Sequence, residues 1–198
     1  MFKESKNTLA SGIPEVDKFL QYRLFVGVPK NNQKLNMIAI VQEQGKIINA
    51  KNYPFLVIPT SNAKGRKTSQ ITGLYRRGHA LGVDDITQPY KFRIMFVLKK
   101  SVKIPPRPFM RYTLDHKKDE WNILLTNLIH EMLIGRLTAN KAYTKLGNKI
   151  VDDLKQTIND FAHPQNSKLT QERKGFDNPL IDSGILRDSI TFYLIKKG

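Results

Sequence analysis

The chain has 198 residues, 40% of them apolar, and a formal net charge of +16, which suits one domain with a real core rather than a disordered polymer. It has no cysteine, which excludes disulfides, thiolate metal sites and a cysteine nucleophile. The first residues are polar and no run of about 18 apolar residues occurs, so neither a secretory signal nor a membrane-spanning helix is expected.

Residues 1–12 read as a loosely held polar terminus. A short helix is expected from Ile13: Pro14 suits a first turn, Glu15 and Asp17 favour its positive end, and Val16, Phe19 and Leu20 form a stripe. Residues 22–28 read as a strand stopped by Pro29, and Asn31-Asn32 as a turn. Residues 35–41 read as a second strand, with further short strands at 47–48 and 55–58. Residues 60–90 are polar and basic, and are expected to form an extended loop or arm with one short strand near 71–75. Residues 91–98 read as a core strand, and the prolines of 104–108 force an extended strap.

Two helices follow. Trp121, Leu124, Leu125, Leu128, Ile129, Met132 and Leu133 recur at helical spacing, and Tyr143, Leu146, Ile150, Leu154, Ile158 and Phe161 continue it behind a Thr138 cap. His163-Pro164 ends the second helix. Residues 164–180 read as a polar connection, Ser183-Gly184 as a turn and 190–195 as a last strand. The fold class expected is α+β: a mainly antiparallel sheet packed on two long helices, in one domain spanning 1–198 with the basic segment 60–90 inserted.

The charge is unevenly spread. Residues 60–111 carry 12 basic and two acidic side chains, while residues 112–198 carry 13 and 11. Such clustering attracts polyanions, whether nucleic acid or an acidic protein face; a lysine-rich surface kept for solubility is the plain alternative. Lys64, Arg66, Lys67, Arg76 and Arg77 are the candidate contacts to DNA or to a protein partner.

Catalytic patterns are missing. No histidine pair has metal-ligand spacing; His130-Glu131 lacks a second histidine because position 134 is Ile. Asp84-Asp85 and Asp152-Asp153 fit solvated surfaces better than a metal site. No nucleophile elbow, phosphate loop or dinucleotide fingerprint is present. No cofactor and no enzymatic activity are expected.

Two segments are distinctive: Ile104-Pro105-Pro106-Arg107-Pro108-Phe109-Met110-Arg111, and Pro179-Leu180-Ile181-Asp182-Ser183-Gly184-Ile185-Leu186-Arg187-Asp188-Ser189-Ile190. The first is a stiff strap that presents Phe109 to a core and Arg107 to an anion or carboxylate. In the second, Asp182 or Ser183 can cap a short turn, Gly184 permits a tight backbone, and Leu186 and Ile190 anchor it. Together, and with Ala39-Ile40-Val41-Gln42-Glu43-Gln44-Gly45, they resemble the virion-morphogenesis proteins of tailed bacteriophages, the neck or tail-completion family. That resemblance implies a structural subunit in a ring between head and tail, assembled in the host cytoplasm and carried in the virion. Its partners would be further copies of itself, connector and tail proteins, and genomic DNA in the channel. Pro106, Arg107, Pro108, Phe109, Asp182, Gly184 and Leu186 are the candidate motif positions. A non-specific nucleic-acid-binding protein using residues 60–111 is the competing reading, suggested by Tyr75 beside Arg76-Arg77.

Overall fold

The computed structural model describes residues 8–198, with side chains from Gly12 onward. The fold is α+β. In chain order the elements are α1 (Thr8–Leu20), β1 (Tyr22–Gly27), α2 (Gln33–Gln44), β2 (Lys46–Asn49), β3 (Leu56–Pro59), β4 (Tyr75–Arg77), β5 (Ala80–Asp84), β6 (Phe92–Lys99), β7 (Ser101–Ile104), α3 (Phe109–Leu133), α4 (Ala139–Asp160), α5 (Lys168–Lys174), α6 (Ile185–Asp188) and β8 (Thr191–Lys196). All strand pairs are antiparallel: β1 with β8, β2 with β7, and a four-stranded sheet in the order β3-β6-β5-β4.

The chain was expected to form one domain. Its contacts divide it into two compact units: one takes the chain up to Ala39, Pro108–Phe161 and Ser183–Gly198, the other Ile40–Arg107 and Ala162–Asp182. The first unit is built on α3 and α4. Their stripes bury Leu128, Met132, Ala142, Tyr143 and Leu146 together with Phe19 of α1. The Tyr143 ring stacks on Phe19 at 4.2 Å between centroids, and its hydroxyl donates to the Phe19 and Tyr22 carbonyls. The β1–β8 ribbon lays Tyr22, Leu24 and Leu194 against this core. At Gly147 of α4 a Cβ would stand 2.6 Å from the Phe192 ring, so only glycine lets the ribbon approach this closely.

The second unit is built on the four-stranded sheet, whose core holds Ala63, Ile71, Met95 and Phe96. Residues 60–90 are therefore not a free arm. They supply β4, β5 and two 3-10 turns, Ser61–Ala63 and Thr68–Gln70. Their apolar residues are few and widely spaced, so no period marks them, yet Ala63 and Ile71 are buried and Leu74, Leu81 and Val83 pack beside them. The short strand expected at 71–75 begins only at Tyr75.

Three other expectations are corrected. Residues 35–41 lie in α2, not in a strand: Asn32 Oδ1 accepts from the Leu35 amide at 3.1 Å, and this capping bond starts a helix where apolar content alone suggested β structure. Thr138 occupies the position before α4 without a side-chain cap; Glu15 reaches the Ala139 amide instead, at 2.7 Å, placing a carboxylate at the positive helix end. The connection 164–180 contains α5, capped by Ser167 and ended by Gly175 at φ 79°.

Candidate functional site

The proline strap is anchored in the second unit by one side chain. Arg107 is 5% exposed. Its guanidinium donates to Gln42 Oε1 at 2.9 Å, to the Pro164 carbonyl at 3.1 Å, to the Gln165 carbonyl at 3.3 Å and to Asn166 Oδ1 at 3.4 Å. The strap's backbone is tied to the same place, since the Arg107 amide donates to the Gln42 carbonyl. Burial pushes the Arg107 pKa down, and the charge of Asp177 pulls the other way. The sequence reading gave Arg107 an anion or carboxylate; its hydrogen-bonding partners are neutral oxygens. A planar fork of N–H groups can satisfy several carbonyls at once, which a lysine cannot.

Gly45 completes the clamp. It lies in the left-handed region at φ 73°, and a Cβ there would stand 2.7 Å from the Pro106 nitrogen and 2.9 Å from the Ile104 carbonyl oxygen. Gln42 and Gly45 thus meet the strap directly, and the β2–β7 ladder continues the contact from Lys46↔Ile104 to Asn49↔Ser101. In the first unit, Pro108 precedes α3, its carbonyl accepting from the Tyr112 amide, and Phe109 is fully buried at the helix start.

The second distinctive segment folds as a tight turn into α6. Gly184, at φ 80°, precedes the helix with no side-chain cap. Neither Asp182 nor Ser183 caps it: Asp182 pairs with Arg173 at 3.2 Å. Leu186 and Ile190 are buried and anchor the turn, and the Ser189 hydroxyl donates to the Leu186 carbonyl at 2.8 Å.

The five candidate cations all belong to the second unit, which carries 16 basic and six acidic side chains, a net +10. Lys64 closes the first 3-10 turn, Arg66 Nε donates back to the Ala63 carbonyl at 3.2 Å, and Lys67 precedes the second turn. All three are exposed. Arg76 and Arg77 alternate along β4. Arg76 lies over the Phe55 ring at 4.8 Å, and Arg77 over the Phe92 ring at 5.7 Å while donating to the Tyr90 carbonyl at 3.0 Å.

Register places Tyr75 and Arg77 on one face of the sheet with Gly82 and Ala80 of β5. Phe92 crosses over Gly82, where a Cβ would collide with its ring, and Tyr75 lies 5.2 Å from Phe92. On this face is a cavity of about 450 Å³, lined by Asn62, Arg77, Ala80, Gln88, Pro89, Tyr90, Phe92 and Ile94. Tyr90 in its wall has φ 63° and the next residue, Lys91, φ 52°, each costing on the order of 1 kcal/mol or more. Sequence reasoning found Arg77 but missed the cavity, because its lining comes from three separate stretches of chain, at 62, 77–80 and 88–94.

The paired aspartates are occupied. Asp84 accepts from the Tyr75 hydroxyl at 2.7 Å. Asp85 pairs with Arg93 and accepts from both the amide and the hydroxyl of Thr87, and these bonds lower its pKa. Asp153 accepts from Trp121 Nε1 and from Lys149, both at 2.7 Å, while Asp152 is exposed. Among the described residues no group of three or more His, Cys, Asp or Glu side chains could hold a metal ion, and no helix is long and apolar enough to cross a membrane. No family model, curated protein or solved structure matches the chain.

Proposed function

We propose that the protein is a structural subunit of a tailed-bacteriophage neck or tail-completion ring, joining the DNA-filled head to the tail. The observation that carries the reading is the β1–β8 ribbon. Its inner face packs on the helices, while its outer face presents Phe25 and Tyr193, stacked at 5.5 Å, beside Ile195; all three are exposed. Among the described residues neither strand has a second neighbour, so both edges offer unpaired N–H and C=O groups. An apolar face between open edges is what a subunit shows before it is covered by another chain.

A closed ring needs two different contact surfaces on each subunit. The second unit has a further exposed pair, Ile47 and Ile48, on the two-stranded β2–β7 sheet. The resemblance of residues 39–45, 104–111 and 179–190 to neck and tail-completion proteins points the same way. Clamping the strap through Arg107 gives those motifs a mechanical purpose: a stiff segment held at several points keeps its shape when neighbouring subunits load it.

Cryo-electron microscopy of purified particles carrying this chain tests the proposal. The expected result is a ring of its density between portal and tail. In particles made with Phe25→Ser and Tyr193→Ser together, DNA-filled heads without attached tails are expected. Absence of the chain from mature particles, or normal joining by the double variant, overturns the reading.

A second reading is favoured by a separate observation, the cations and aromatic rings that accompany one another on the +10 unit: a non-specific nucleic-acid-binding protein that neutralises phosphates through Lys64, Arg66, Lys67, Arg76 and Arg77.

A further inference from the structure

We infer that the cavity on the outer face of the four-stranded sheet is a binding site for one unstacked nucleobase of a single-stranded nucleic acid. The inference rests on the second reading above and is independent of the ring.

The lining decides the ligand class. Phe92 and Tyr90 both line the cavity; the Phe92 ring lies against Gly82 and under Arg77, whereas Tyr90, 86% exposed and in a left-handed conformation, has its ring open to a ligand. Every base has a π-face, so such surfaces take bases without regard to sequence. Two carboxamides, Asn62 and Gln88, also line the cavity, and carboxamides are groups that pair with base edges. Asn62 uses its Nδ2 to donate to the Ile94 carbonyl at 2.9 Å, which turns its Oδ1 towards the role of acceptor. Gln88 is exposed and sits beside the strained Tyr90 turn.

One cation lines the cavity. Arg77 is steered by the Phe92 ring and by the Tyr90 carbonyl, to which its Nη1 donates, and a guanidinium has further N–H groups that can meet a phosphate oxygen. Lys64, Arg66 and Lys67 follow Asn62 within five residues and are exposed, so the adjoining phosphates of a strand would meet them. An acidic peptide fits less well, because it would need several cations inside the cavity where there is one. A duplex fits less well, because its bases are stacked and paired and cannot enter.

The shared chemistry, a base with its phosphate, could also come from a free nucleotide. The test separates these sources. The whole protein is titrated with a fluorescein-labelled strand of about a dozen thymidines, and the strand is then competed with thymidine monophosphate and with the corresponding duplex. Three variants are compared: Tyr90→Gly, which keeps the left-handed backbone; Gln88→Ala, at an exposed position; and Lys100→Ala, which removes a charge away from the cavity.

The expected result is tighter binding of the strand than of the duplex, and an affinity loss of about fivefold to a hundredfold for Tyr90→Gly. That ratio should stay constant as salt rises, while the effect of Lys100→Ala shrinks. Gln88→Ala should lose affinity in the same salt-independent way. If the variants at 88 and 90 bind within twofold of the parent while binding stays salt-sensitive, the cavity is overturned and the general nucleic-acid reading survives. If the parent protein does not bind the strand even at low salt, both fail. Displacement by thymidine monophosphate at concentrations matching the strand would make it a nucleotide site and overturn the strand proposal.

Discussion

Arg107 shows how far a single side chain can organise a surface. A buried guanidinium is costly unless its N–H groups are satisfied, and here four oxygens from residues 42 and 164–166 do this. Removing it would take the shared donor from all four part-buried hydrogen bonds at once. Arg107→Ala is therefore expected to destabilise the protein by about 2–4 kcal/mol. Arg107→Lys should recover only part of this loss, because an ammonium cannot span the same fork. Thermal unfolding followed by circular dichroism checks both values; equal stability of the parent and the Lys variant would deny the fork its role. The strap stood out in the sequence by its prolines, and Arg107 within it, but not the identity of its partners. Those partners lie 57 to 65 positions away along the chain.

Elements were legible where their period was strong. α3 and α4 follow their apolar stripes, β1, β3 and β6 follow apolar runs bounded by proline or polar residues, and all are found within a few residues of the expected places. α2 was not legible, because a run such as Met37-Ile38-Ala39-Ile40-Val41 suits strand and helix alike; the Asn32 cap and neighbouring packing decided. β4 and β5 were hidden for the opposite reason, having too few apolar residues to show a period. Glycine positions give an element-level test. Gly65 has φ 75° and nothing near its missing Cβ, whereas Gly45 has φ 73° and backbone within 3 Å. Gly65→Ala should cost about 1 kcal/mol from the left-handed conformation alone. Gly45→Ala should cost about 1–3 kcal/mol more, from crowding against the strap. Equal melting temperatures for the two variants would remove the close packing of strap on turn.

At the scale of the molecule the informative quantity is where charge lies. The +10 unit presents Lys64, Arg66 and Lys67 at exposed positions on short turns. If they meet phosphates, replacing all three by alanine lowers the slope of log affinity against log salt by about 0.7 per side chain on single strands. Oligonucleotide titrations at several salt concentrations measure this; an unchanged slope would place the phosphate contacts elsewhere. Sequence alone determined the α+β class, the two long helices, the concentration of positive charge in residues 60–111 and the singular character of the strap, because these are written in local periodicity and composition. Tertiary structure alone decided the division into two units, the folding of residues 60–90 into a sheet, the neutral partners of Arg107 and the aromatic cavity. Each depends on contacts between residues distant in the chain, and long-range pairing leaves no period for a local reading to find.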